Sequence, residues 1–385
     1  MNRPLRRDVL EENRGYLEAM NAHVNSGKPW MVNVEVTNRC NLSCGHCYLV
    51  EGRIEKSGRA ELSPEEMASA LDQMRDLGIF LITFTGGEFF VHQHAFRYLD
   101  EATARGFAIR IFSGLAFLPA DQLDRLLDTN VFQVETSIHG ADEETHDRFT
   151  RRPGSFDRMI ASVRELRRLG ISVTMKTCWT KYNWRQYGAI LDLVASLDAG
   201  FRGTCFIQPR NDGGKENLEV RMNNEELHAL MYAIHKYHGT SAEEIRRLSE
   251  VKGIEPQGHT CGAARMSFHL NPYGDVFACV DLQIPAGSLR EKALEDIWFN
   301  SDVLKSIRKV TFADFSEQDR LEDDPEILSC SKCMGANLRE KGDILCVSEE
   351  AKRLATVMGR ARAQYLADLE SGALAGADPA PKAVP

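Results

Sequence analysis

Between Met31 and Gly239 short apolar, β-branched runs give way again and again to helical patterns, and this alternation constrains the fold more than any other feature. The strand patterns are Met31–Thr37, Ile79–Thr85, Phe107–Phe112, Val131–Ser137, Ile171–Thr177 and Phe201–Ile207. Helical patterns at about Val91–Arg105, Pro119–Asp128, Ser155–Leu169 and Trp184–Leu197 separate them. Another helix opens at Ser63-Pro64-Glu65-Glu66, which combines a capping box with proline at the first helical position, and Gly78 stops it. The run Ile79–Thr85 is apolar throughout, as in parallel strands covered on both faces. Six strands, each followed by a helix, predict a parallel α/β sheet, open or curled into a partial barrel. A full eight-unit barrel needs two more units, which the sequence after Gly239 does not supply.

From about Ile254 the pattern changes: cysteines become denser, strands shorten, and His269–Asp275 (HLNPYGD) reads as a hairpin with a Pro/Gly turn. The expected organisation is a helical extension at 1–30, the parallel α/β unit at 31–240 and a small cysteine-rich domain at 250–350. A C-terminal helix at 351–370 and a disordered Ala/Pro/Gly-rich tail at 371–385 follow.

The 385 residues carry a formal net charge of −9 with basic and acidic residues interspersed, so no nucleic-acid footprint is expected. No apolar run is long enough for a membrane span, and the first residues lack the apolar core of a secretory signal. Ten cysteines without an export signal point to a reducing, cytoplasmic setting, where clustered cysteines ligate metal or do chemistry.

Cys40, Cys44 and Cys47 form C-x3-C-x2-C just after the first strand. Three thiolates so close can hold one corner of a cubane iron–sulfur cluster and leave the fourth iron open to a small molecule. A zinc site completed by His46 or a distant residue is the alternative. Tyr48 follows the last cysteine, and Gly86-Gly87-Glu88 follows the second strand pattern. With these features the chain resembles the radical S-adenosylmethionine superfamily, which implies a partial (β/α)6 parallel barrel. In that family the [4Fe-4S] cluster chelates the amino and carboxylate groups of S-adenosyl-L-methionine. The resemblance implies that Tyr48 lies by the adenine and that the backbone of Gly86, Gly87 and Glu88 holds the amino group. It also places Ser113 by the ribose and Ser137 near the methionyl carboxylate. His146-Asp147 and Pro153–Phe156 match the family's loop-to-helix segment, with Arg151 and Arg152 beside Thr150, where relatives carry arginine.

Cys261, Cys279, Cys330, Cys333 and Cys346 lie in the C-terminal region. Two pairs of thiolates would fully ligate one cluster, which suits electron transfer, or else a structural zinc. The region resembles the SPASM/twitch extensions of radical enzymes, including Gly287-Ser288-Leu289 and the Leu294–Trp298 helix. Because Met334–Leu345 holds no cysteine, one auxiliary Fe–S cluster is expected, on Cys261, Cys279, Cys330 and Cys333. Cys346 is either spare or a replacement ligand.

The resemblance implies formation of a 5′-deoxyadenosyl radical that abstracts a substrate hydrogen. The reading favoured here is oxidative modification (crosslink, thioether or related) of a ribosomally made peptide. It is accompanied by a reduced flavodoxin- or ferredoxin-type electron donor and a separate leader-peptide-binding protein, since the segment before Met31 is short for a fused one. Dehydrogenation or epimerisation of a sugar or cyclitol is the small-molecule alternative, and a non-catalytic zinc scaffold the alternative from another class. Cys178, just past the fifth strand, is either a hydrogen donor or a small packing residue. Glu135, His139, Gln208 and Arg210 lie at strand ends, where parallel barrels place their sites.

Overall fold

The computed structural model describes residues 8–49, 58–118, 120–249, 258–315 and 331–374. Six parallel strands carry the first unit: β1 (Met31–Glu35), β2 (Leu81–Thr85), β3 (Ala108–Phe112), β4 (Val131–Ser137), β5 (Ser172–Cys178) and β6 (Gly200–Thr204). Each pairs with its predecessor, as right-handed strand–helix–strand crossovers produce. The helices flanking this sheet are α1 (Asp8–Asn25), α2 (Pro64–Asp76), α3 (Ala95–Ala104), α4 (Glu143–Thr150), α5 (Ser155–Arg168), α6 (Tyr187–Ser196), α7 (Asn224–His238) and α8 (Ala242–Ser249).

Local chemistry sets the ends of these elements. The Ser63 hydroxyl accepts from Glu66 N and the Glu66 carboxylate from Ser63 N, the reciprocal pair that the sequence predicted for α2. An equivalent box at Asn223 and Glu226 starts α7, and Gly239 ends it in the left-handed conformation. Within α1, Tyr16 accepts a 2.9 Å hydrogen bond from the Trp30 indole, which stacks on Phe80 at 4.8 Å. Val32, Val34, Ile82, Phe84, Ile109, Ile111 and Val134 are fully buried, the continuous apolar strand character read from the sequence.

The sheet does not stop at β1. Its other edge pairs in parallel with β7 (Ser267–Leu270), which turns through Asn271–Gly274 into antiparallel β8 (Asp275–Phe277) and then β9 (Pro285–Ser288). The hairpin expected at His269–Asp275 is therefore present, but as a continuation of the first sheet, giving nine strands in the order β6-β5-β4-β3-β2-β1-β7-β8-β9. Arg59 grips Asp275 at 2.6 and 2.8 Å, and Arg290 grips Glu66, so polar staples reinforce the seam. Helices α9 (Leu294–Asn300) and α10 (Asp302–Lys309) pack on β9. Then come α11 (Met334–Lys341) and α12 (Glu349–Glu370), which lies along α7 with Tyr232 donating to Asp368 at 2.6 Å. Cys330 and the part of the expected tail from 375 onward lie outside the described residues. No described helix is long and apolar enough to cross a membrane.

Candidate active site

The first cysteine loop leaves β1 at its C-terminal end, the end at which a parallel sheet collects its functional groups. It is pinned to the end of α4 by Ser43 N donating to Thr150 O (3.0 Å) and Gly45 N to Phe149 O (3.2 Å). Thr150 is buried and shares a 2.7 Å hydrogen bond with Ser155. Asp147 organises this turn by accepting from Ser155 Oγ, Phe156 N and Gly154 N, and these donors hold its carboxyl below the usual range despite desolvation. The loop-to-helix segment seen in the sequence is thus a clamp on the cysteine loop. Arg151, in left-handed conformation at φ 55°, faces a separate concavity beside Gly45 and Arg148 rather than the main cavity.

The two glycines after β2 serve first to bring two backbones together. A Cβ on Gly87 would fall 2.7 Å from Asn38 O and from Arg39 C, and Gly86 at φ +150° sits on Thr37. Gly87 N donates to Thr37 O (2.8 Å) and Glu88 N to Arg39 O (2.9 Å). Among the described residues, the carbonyls of Gly86 and Gly87 accept no backbone bond, so acceptors suited to an ammonium group remain. The Glu88 side chain is buried and ties β2 to β3, accepting from Ser113 Oγ (2.6 Å), Gly114 N (2.7 Å) and Phe90 N (3.1 Å). Burial pushes its carboxyl up against these donors. Ser113, expected at a ribose, spends its hydroxyl proton on Glu88 and accepts from Leu115 N.

Cys40 is exposed, whereas Cys44 and Cys47 are half-buried. Burial raises the Cys44 thiol most, followed by the charges of Cys47 and Cys40, and Cys40 itself is raised to about 11. Three thiols that repel one another as thiolates suit a multiply charged metal centre that removes the repulsion. Among the described residues no three His, Cys, Asp or Glu side chains converge as a mononuclear ion requires, with sulfurs about 3.7 Å apart. A cubane places each thiolate on its own iron and needs no such convergence. Three soft thiols carried on one short loop fit a [4Fe-4S] cluster.

Beside this loop opens a cavity of about 370 Å3. The cysteine loop contributes His46 and Tyr48, and β4 contributes Ser137 and, just beyond it, His139. Strand β5 adds Lys176 and Cys178, and β6 adds Arg202, Gly203 and Thr204. Asp281 and Arg339 enter from the cysteine-rich region. His46 and His139 lie 5.0 Å apart, both held neutral by burial, and the Nδ1 of each has no partner among the described residues. Gln208 Oε1 is likewise buried and unpartnered, so the cavity presents polar atoms to a ligand. Tyr48 donates to Glu35 at 3.0 Å, and burial together with Glu35 pushes its phenol up.

Ser137 stands in register with Lys176. The Lys176 ammonium sits 3.3 Å over the Phe112 ring and 3.1 Å from Glu135, whose carboxylate is also 3.5 Å from Arg110 and 4.0 Å from Arg202. Three cations surround one buried carboxylate, leaving a positive surplus at the cavity wall. Burial pushes the Cys178 thiol up to about 12, opposed by Lys176. Arg210 pairs with Glu216 instead of entering the cavity.

In the cysteine-rich region, Cys261, Cys279 and Cys333 lie within electrostatic reach of one another, and burial pushes Cys279 up to about 12. The start of α11 approaches the Cys279 loop so closely that a Cβ on Gly335 would fall 2.5 Å from Asp281 C. Arg339 clamps the same loop, donating to Asp281 O (2.9 Å) and Val280 O (3.4 Å), and ties it to the segment after β6 through Pro209 O (3.3 Å). Cys346 lies on a turn where its thiol is 3.8 Å from Asp343. The donor set of three neighbouring soft thiols fits an iron–sulfur group here too.

Sequence reading did not single out Lys176, Arg202, Asp281 or Arg339. A charge inside the apolar strand Ser172–Cys178 was a usable signal for Lys176; the other three have none, because they reach the cavity only through tertiary packing.

Comparison with known proteins agrees with this geometry. The chain matches the profile of the radical SAM superfamily over residues 34–194 and of the SPASM iron–sulfur cluster-binding domain over 261–334. It is 25% identical to the AdoMet-dependent heme synthase of Methanosarcina barkeri across 73% of this chain and 85% of that protein. It is 26% identical to the antilisterial bacteriocin subtilosin biosynthesis protein AlbA of Bacillus subtilis across 79% of this chain and 67% of that protein. The fold matches Streptococcus suis SuiB, solved with its precursor peptide SuiA, with a TM-score of 0.64 at 15% identity, covering 91% of this chain and 81% of SuiB.

Proposed function

Because this chain belongs to the radical SAM superfamily and carries a SPASM iron–sulfur domain, we propose that it is an enzyme that oxidatively modifies a peptide held between its two cysteine loops. The observation that carries the reading is the cavity itself, which His46 and Tyr48 of the first loop and Asp281 and Arg339 beside the second line together. A substrate there would touch both the hydrogen-abstracting side and an electron acceptor, as a net two-electron oxidation needs. The likeness to a bacteriocin biosynthesis protein and to a fold solved with a precursor peptide supports a peptide as the class of substrate.

Cys40, Cys44 and Cys47 would hold the [4Fe-4S] cluster that binds S-adenosyl-L-methionine. When bound, the pair supplies a 5′-deoxyadenosyl radical able to take a hydrogen atom. The chain's own residues position the cofactor. Tyr48 would close the adenine side, and the Gly86 and Gly87 carbonyls, which accept no backbone bond among the described residues, would accept from the amino group. Ser137 and Lys176, neighbours in register, present a hydroxyl and a cation to the carboxylate. Glu88 fixes the β2 and β3 ends, and Ser113 acts through it, while Arg151 stands outside the cavity as a surface residue. Cys261, Cys279, Cys330 and Cys333 would hold one auxiliary cluster. A reduced flavodoxin or ferredoxin would supply the electron, and a separate protein would bind a leader segment.

The test is anaerobic reconstitution, iron per chain, and 5′-deoxyadenosine formed with dithionite and S-adenosyl-L-methionine. Two cubanes give about eight irons, and a Cys40→Ala/Cys44→Ala/Cys47→Ala variant about four, with deoxyadenosine from the wild type alone. Zinc with no deoxyadenosine overturns the proposal, and about twelve irons overturn the single auxiliary cluster. The heme synthase relative makes a tetrapyrrole the competing substrate. Deoxyadenosine formation stimulated by a porphyrin and by no peptide would decide for it.

A further inference from the structure

The nine-stranded sheet has two edges, and they are treated differently. At one end β9 opens with Pro285, which cannot donate to a neighbour, and helices α9 and α10 pack against it. At the other end lies β6, whose residues Arg202, Gly203 and Thr204 are exposed. Among the described residues no backbone group bonds to its outer side. Thr204 O accepts from Trp179 N on the β5 side (2.8 Å), so by strand alternation Phe201 and Gly203 turn their N–H and C=O outward. An edge in this state is ready for another strand.

What flanks the edge is apolar. A groove of about 450 Å3 runs between the end of β6 and helices α7, α8 and α12. Leu248 and Met358, 54% and 36% exposed, line it, two of the nine large apolar side chains exposed among the described residues. The groove is continuous with the cavity at Cys178, because Gly203, Thr204 and Phe206 line both. Gly203 keeps the junction narrow: any Cβ there would lie 2.5 Å from the Trp179 indole nitrogen.

We propose that the substrate peptide binds as an added β-strand on the outer edge of β6, a docking mode that rests on the peptide reading above. Its backbone pairs with the outward groups of Phe201 and Gly203. With side chains alternating along a strand, one set falls into the groove at Leu248 and Met358 while the other set points toward the cavity at Cys178. Backbone pairing supplies affinity independent of sequence, and the groove selects apolar residues at every second position. A small molecule would use the cavity and leave both the edge and the groove untouched.

The experiment uses the reconstituted full chain with S-adenosyl-L-methionine bound and a random dodecapeptide library displayed on its encoding RNA. Enriched peptides are resynthesised and tested by amide hydrogen exchange and by methylating each backbone nitrogen in turn. Fast exchange at Phe201 and Gly203 should slow at least tenfold on binding. Methylation should weaken binding tenfold or more at alternate peptide residues and leave those between unaffected. Enriched peptides that bind with no protection at Phe201 and Gly203, or with no alternation, overturn the edge mode and leave the peptide reading standing. A library from which nothing is enriched overturns both.

Discussion

Gly87→Ala isolates the reason for the two glycines, because the obstacle is rigid. The new methyl would meet Arg39 O closest of all, then Asn38 O and Arg39 C at 2.7 Å, whereas ordinary contact begins at 3.4 Å. These are backbone atoms, so the cysteine loop and the glycine turn must separate by at least about 0.7 Å. That carries the Gly87 N–Thr37 O and Glu88 N–Arg39 O hydrogen bonds, now 2.8 and 2.9 Å, to about 3.5 Å, where little of either survives. Two weakened bonds in a partly buried turn, each worth about 1–2 kcal/mol once desolvation is counted, give a loss of about 2–4 kcal/mol. By calorimetry on the anaerobic protein, Tm should fall by roughly 2–5 °C. Iron in the first cluster should fall with it, since Arg39 adjoins Cys40. Gly45→Ala is the control: its nearest neighbour is a single Val220 side-chain methyl at 3.2 Å rather than backbone, and it should cost much less. A Gly87→Ala protein with the wild-type Tm and iron content would refute the reasoning.

Three further outcomes are expected. Asp147→Asn removes a charged acceptor of three donors and should cost about 1–2 kcal/mol in urea unfolding. Because the folded carboxyl lies below its unfolded value, its contribution is present above the unfolded value and fades as pH falls through the folded one. The variant should therefore lose part of the acid-side slope of stability. Cys261→Ser should lose about four irons per chain while Cys346→Ser keeps them, by iron analysis; the reverse would make Cys346 the ligand. Arg339→Lys cannot reach three carbonyls from one point and should lower Tm and auxiliary-site iron together, by calorimetry and absorption, with the first cluster retained.

The strands legible in the sequence are those whose pattern is dictated by burial. Strands β1 to β5 are continuous or alternating apolar runs, and they appear within a few residues of where the pattern puts them. The sixth was expected at Phe201–Ile207 and forms at Gly200–Thr204. Its residues, Gly-Phe-Arg-Gly-Thr, carry no burial pattern because the strand is an edge, while the apolar Phe206 and Ile207 face cavities instead. The expected helix at Pro119–Asp128 is a short α turn at Ala120–Leu123 followed by a 3-10 turn, too brief for a stable periodicity. The C-terminal helix, expected at 351–370, spans Glu349–Glu370. At the site, cysteine spacing and glycine pairs were readable because metal ligation and backbone approach restrict residue types. The β1–β7 pairing was not, since any strand rich in apolar residues offers the same ladder, and partner choice depends on chain topology. Nor was the cation cluster around Glu135, which draws Arg110, Lys176 and Arg202 from three different strands.

The strand shared by the two halves makes this protein a poor candidate for modular dissection. Strand β1 is flanked by the glycine turn strand on one side and by the hairpin of the cysteine-rich half on the other. A gene fragment ending near residue 250 would encode every residue of the parallel unit, yet would leave Met31–Val34 with no ladder partner on its β7 side. Two of those residues, Val32 and Val34, are fully buried in the intact chain. Such a fragment should express as aggregate. The cysteine-rich half is better regarded as the closing panel of the sheet than as an accessory to be transplanted onto another enzyme.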